Sequence, residues 1–109
     1  MDAARFRQLA LAFPEATEGR HRGHPDFRVR DRIFATLNDD ETAGHLRCDP
    51  LSLDRLVQED PTVFRDAWGG RWLGIDLARA QEDDVLPLME DAWRAAAPKT
   101  LTATFTREE

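Results

Sequence analysis

Arg22, His24, Arg28, Arg30 and Arg32 stand within eleven residues of one another, and their side chains have an obvious chemical use. A guanidinium group holds phosphate oxygens through paired, charge-assisted hydrogen bonds, and a two-stranded ribbon has the width of a DNA major groove. These residues, with Arg20 beside them, are therefore expected to contact the phosphates of double-stranded DNA, His24 adding a polar contact. The competing expectation is that they are solvated arginines paired with Glu18, Asp26 and Asp31, since exposed ion pairs signify little.

Three other groups of residues invite chemistry. His21, His24, His45 and Cys48 have the bare form H-x2-H followed by H-x2-C, which suggests zinc. However, 45–48 alternates as a strand, where residues three apart point to opposite faces, so no metal site is expected. His24 then orders the loop before Pro25, and Cys48 is a small core residue. Glu82, Asp83, Asp84, Glu90 and Asp91 suggest acid–base or magnesium chemistry, but acids at a helix start are favoured electrostatically without any catalytic role. Phe64, Trp68, Trp72 and Trp93 could line a pocket, although aromatics more often fill cores. The Trp68 and Trp72 region gives the alternative function, a protein-interaction or small-ligand module without catalysis. No Ser/His/Asp order, phosphate loop or dinucleotide fingerprint occurs, so no enzyme and no cofactor are expected.

The elements that must position these groups can be read in turn. Asp2 caps a first helix with Phe6, Leu9, Ala10 and Phe13 on one stripe, ended by Pro14. Glu18–Arg22 is weakly strand-like. Residues 23–38 read as a β-hairpin, Phe27 and Val29 alternating with Arg28 and Arg30, and Ile33, Ala35 and Leu37 resuming beyond Asp31-Arg32. A bulged loop pairing Val29 with Ile33 and Phe27 with Ala35 gathers the apolar set on one face and leaves Arg28, Phe34 and Thr36 on the other. It calls for a positive φ near Asp31 or Arg32. His45–Cys48 is a third antiparallel strand.

Asp49-Pro50 opens a second helix with Leu53, Leu56 and Val57 buried, stopped at Pro61. Residues 61–70 have no period and read as an ordered loop. Gly69-Gly70 would turn a second hairpin or admit a close backbone approach before a strand at 72–77. Asp83 or Asp84 is expected to cap a long helix carrying Val85, Leu88, Met89, Ala92, Trp93 and Ala96, with Pro87 in or next to its first turn. Residues 100–105 alternate like a strand, and Arg107-Glu108-Glu109 should fray.

With 109 residues the chain is expected to form one domain, 1–109, of the α+β class: an antiparallel sheet packed with about three helices. The net charge of −6 argues against a basic surface over the whole molecule. It is unevenly spread. Residues 1–35 hold seven arginines against five acids, and the rest eight basic against sixteen acidic residues. No apolar run of about 18 residues and no hydrophobic leader are present, so no membrane partner is expected and the cytoplasm is the expected compartment. The lone Cys48 rules out an internal disulfide and fits reducing surroundings.

Several of these segments resemble the MmcQ/YjbR family of small bacterial proteins. The resemblance rests on Leu11-Ala12-Phe13-Pro14, on Gly23-His24-Pro25-Asp26-Phe27-Arg28-Val29 with Arg32-Ile33-Phe34-Ala35, on Asp49-Pro50, on Gly69-Gly70-Arg71-Trp72, and on Ala92-Trp93 with Ala97-Pro98-Lys99. It spans nearly the whole chain. It implies an antiparallel sheet with helices in a double-wing arrangement, a DNA-binding role, and no catalytic residues. It also implies a short helix, not a strand, at 100–105, and Gly-Lys where this chain has Asp31-Arg32.

Overall fold

The computed structural model describes residues 1–105; the expected fraying at Arg107-Glu108-Glu109 lies outside them. Two aspartates start the first two helices as their positions dictate. Asp2 accepts the Arg5 amide (2.8 Å) at the head of α1 (Ala3–Leu11), and Asp49 accepts the Ser52 amide (2.9 Å) at the head of α2 (Pro50–Glu59), with Pro50 where a missing N–H costs nothing. The third helix, α3 (Glu82–Ala96), is different. Gln81 occupies its cap position without a side-chain bond, so Asp83 and Asp84 are not caps but lie with Glu82 inside the first turn, facing the positive end of the helix dipole. Pro87 lies beyond that first turn, deeper than expected.

Six strands form one antiparallel sheet: β1 (Ala16–His21), β2 (His24–Val29), β3 (Arg32–Leu37), β4 (Ala43–Arg47), β5 (Phe64–Trp68) and β6 (Trp72–Asp76), in the order β1-β2-β3-β4-β6-β5. Phe27, Val29, Ala35, Leu37, Leu46, Leu73 and Ile75 point to one side. There they meet Phe6, Leu9 and Ala10 of α1, Leu53 and Leu56 of α2, and Val85, Met89, Ala92 and Trp93 of α3. α1 approaches closely because Gly44 has no side chain: a Cβ there would sit 2.6 Å from the Phe6 ring. Among the described residues no helix packs on the opposite side, so the sheet has one covered and one open face.

The central hairpin differs from the expected register. Its turn is the two-residue Arg30-Asp31, both with positive φ (50° and 66°), the backbone that matches strand twist. Val29 therefore opposes Arg32 and Arg28 opposes Ile33, and the register shifts only after that, bringing Phe27 opposite Ala35 as expected. The extra residue is Phe34. It turns into the core, edge-on to Phe13 at 6.3 Å, instead of sharing the outer face with Arg28 and Thr36.

Two further segments depart from expectation. Residues 64–68, read as loop, form β5; a register shift between Asp66 and Trp68 breaks the alternation that would have marked it. Gly69 and Gly70, both with positive φ, turn the hairpin into β6. Residues 99–102 form the one-turn helix α4 (Lys99–Thr102), so the strand-like reading of 100–105 fails and the helix implied by the family resemblance is present. Pro98 favours that start, and Phe105 is tied back onto Trp93 (5.0 Å) and Phe13 (5.7 Å).

Candidate functional site on the open sheet face

The five hairpin residues are not brought together. Arg22 sits with Gly23 in the β1–β2 turn, Arg30 in the β2–β3 turn, and Arg32 just after it. These turns are at opposite ends of β2, a span of roughly 20 Å for six extended residues. Arg28 is spoken for by a bidentate pair with Asp26 (2.8 and 2.9 Å), a carboxylate with no exposed surface. Arg30 holds Glu15 in the same way, and that hydrogen bond keeps the Glu15 carboxyl below its ordinary range. His24 Nδ1 lies 2.9 Å from Asp39 Oδ1, out of line for a hydrogen bond. Among the described residues only Arg22 and Arg32 of the five make no hydrogen bond or ion pair. Of the carboxylates expected to pair with the set, Asp26 does so, whereas Glu18 holds Arg7 (2.9 Å).

A different constellation comes together on the open face. One residue from each strand stands in register across the sheet: Gly19, Asp26, Thr36, His45, Gly74 and Arg65. The two glycines let arginines lie flat. A Cβ on Gly19 would meet the Arg28 side chain at 3.3 Å, and one on Gly74 would meet that of Arg65 at 2.8 Å. Between them His45 is buried, its Nδ1 2.8 Å from Thr36 Oγ1. Burial, then the charges of Arg65 and His24, push its pKa down to about 4, so the ring is neutral near pH 7.

Trp68 stands edge-on to His45 (4.9 Å) and stacks on Trp72 (5.4 Å), over which Arg47 places its guanidinium (5.5 Å). Trp68 is 48% exposed, unusual for so large an apolar side chain. Beside it a cavity of about 230 Å³ is lined by His21, His24, Thr36, Asn38, His45 and Trp68. All three histidines of the chain thus line one recess.

Cys48 does not join them. It lines a second cavity of about 290 Å³ on the helix side, with Arg47, Asp49, Ser52, Arg55 and Arg71. Burial and the nearby Asp49 and Asp91 push its thiol up, so it is not a ready nucleophile. The His/Cys quartet is split between two faces, as the strand spacing required, and among the described residues no three His, Cys, Asp or Glu side chains are grouped to hold a metal. The acidic helix start is engaged structurally, Glu82 taking a bidentate pair from Arg5 (2.6 and 2.9 Å). Of the four aromatics, Phe64 and Trp93 belong to the core, the Trp93 indole N–H donating to Pro14 O (3.1 Å), whereas Trp68 and Trp72 form the open-face pair. Sequence reasoning missed the Thr36–His45–Arg65 row. Its one visible signal was Gly74 inside an otherwise apolar strand.

A single six-stranded antiparallel sheet with helices on one face defines an α+β domain, not a doubly wound or barrel architecture. The profile of the YjbR family matches residues 11–95, and the chain belongs to that family. Two solved structures share the fold. The Deinococcus radiodurans protein DR2400, described as carrying a DUF419 domain, superposes with a TM-score of 0.77 at 17% identity, covering 97% of this chain and 83% of its own. A Pseudomonas syringae protein gives 0.69 at 14% identity, covering 88% and 99%. None of the curated proteins matches.

Proposed function

We propose that this YjbR-family domain is a non-catalytic nucleic-acid-binding module whose contact surface is the open sheet face. The observation that carries this reading is the half-exposed Trp68, stacked on Trp72 on an uncovered sheet and bordered by the cations Arg47 and Arg65. Aromatic rings on such a sheet offer stacking surfaces to bases, and neighbouring arginines neutralise phosphates. The acidic surplus does not oppose it, because five acids against one arginine fall in α3, behind the sheet. Arg22 and Arg32, free of carboxylates, extend the positive edge at the two ends of the hairpin, while Arg28 and Arg30 serve mainly to hold Asp26 and Glu15, and His24 lies beside Asp39.

The test is fluorescence anisotropy with labelled oligonucleotides, single- and double-stranded, at about 50 and 200 mM salt. Wild-type protein should bind and weaken as salt rises. Arg65→Gln with Trp68→Ala should weaken binding more than Arg30→Gln with Arg32→Gln. Absence of salt-sensitive binding to any oligonucleotide would sink the reading.

A further inference from the structure

Building on the nucleic-acid reading above, we propose that the cavity beside Trp68 receives one unpaired nucleobase, which makes single-stranded nucleic acid, not a duplex, the partner. Its volume, about 230 Å³, is below the roughly 300–1,000 Å³ of pockets for drug-sized molecules and suits a single heterocycle. Its walls are largely ring faces and edges, from Trp68 and three imidazoles, the lining that takes a flat π-system of any sequence. A base held in a duplex has both faces covered by its stacked neighbours and cannot enter a recess.

Among the polar side chains lining the cavity, Asn38 is spent on the wall and His45 keeps one ring nitrogen for a ligand. Asn38 Oδ1 accepts the amides of Thr42 (2.9 Å) and Ala43 (3.0 Å), and its Nδ2 donates to Thr42 Oγ1 (3.2 Å). Asn38 therefore stiffens the wall. His45 uses Nδ1 on Thr36, which leaves Nε2 as its other ring nitrogen, and His24 Nδ1 is buried without a hydrogen-bond partner among the described residues. Because the ring is neutral, Nε2 is a single directed donor or acceptor, and the Thr36 hydroxyl, able to donate or accept, can complement either tautomer. That is the kind of group that distinguishes one base edge from another. Arg65 lies along the sheet next to His45, and Arg22 follows the lining residue His21 in the β1–β2 turn. Neither pairs with a carboxylate among the described residues, so each is available to a backbone phosphate flanking the inserted base.

The experiment compares a short oligothymidylate, the same strand with abasic sites, and a hairpin duplex, by anisotropy and tryptophan fluorescence. The single strand should bind at least tenfold more tightly than the duplex and quench Trp68 emission, and abasic sites should abolish both effects. Trp68→Ala should weaken single-strand binding by about 5- to 100-fold, with Trp68→Phe restoring most of it. His45→Gln should alter the ranking among homopolymers while leaving their salt dependence unchanged. Duplex binding equal to or tighter than single-strand binding, indifferent to Trp68, would overturn the base pocket yet keep the nucleic-acid reading. Binding of a free nucleoside without any strand binding would overturn the proposal, and no binding of any probe would overturn both. The abasic strand requires no variant, so the outcome does not depend on Trp68→Ala folding.

Discussion

At His45 burial opposes the charged ring, and the neighbouring Arg65 and His24 oppose it further, so its pKa falls from 6.5 to about 4. Between those values the unfolded chain binds a proton that the folded chain refuses. The resulting stabilisation is complete above about pH 6.5 and is lost as pH falls toward 4. The melting temperature should therefore drop across this window, and the drop should flatten in His45→Gln. The carboxylates held low by their partners, Glu15, Glu82, Asp40 and Asp49, lose their contribution as pH falls below their ordinary values of 4.5 and 3.8, so the upper part of the window, above 4.5, reports His45. Asp26 gives a second residue-scale prediction. With its carboxylate removed, Arg28 is left over Gly19 with only the Arg20 carbonyl (3.4 Å) as acceptor, and Asp26→Ala should lower Tm by roughly 5 °C or more. The sequence suggested an arginine partner for Asp26, but not the complete burial of that carboxylate nor the place of His45. His45 reads there as a strand histidine of the His/Cys quartet, and Asp26 as an acid pairing with arginines on a solvated face, because register across six strands decides what each side chain meets.

Elements were more legible than residues, and the exceptions share one cause. The starts of α1 and α2 follow from Asp2 and Asp49-Pro50, whose chemistry is local. The hairpin register and β5 were misread where an irregularity breaks the period-two pattern, at Phe34 and between Asp66 and Trp68. Phe34→Ala should cost about 3–5 kcal/mol in denaturant unfolding, the price of an emptied aromatic site in the core, and not the near-neutral change of a surface position. Gly44→Ala should cost about 1–3 kcal/mol, because the added methyl collides with the Phe6 ring that seats α1. Asp31→Gly should act in the other direction. It relieves a left-handed backbone (φ 66°) at a turn where glycine is preferred, and should raise Tm by about 4 °C.

On the scale of the whole molecule, the sheet separates charge. Acidic α3 lies on the covered side, and Arg47 and Arg65 lie on the open one, so the net charge of −6 describes neither face. The sequence revealed this only as an imbalance along the chain, with the positive end at the hairpin; folding ties up Arg28 and Arg30 and adds Arg47 and Arg65 on the open face to Arg22 and Arg32. If Arg22, Arg47 and Arg65 are the groups that neutralise phosphates, log K against log salt for a single strand should have a slope of about −2, measured by titration at several ionic strengths.

Gly19 and Gly74 bring a consequence that no direct contact would suggest. A methyl group at Gly74 would lift Arg65 off the backbone toward the electrolyte, where mobile ions mask a charge within about a nanometre, and one at Gly19 would nudge the Asp26–Arg28 pair. The electrical relief of this surface thus depends on two atoms that are missing, and a change as slight as alanine would redraw it while leaving every cation in the chain.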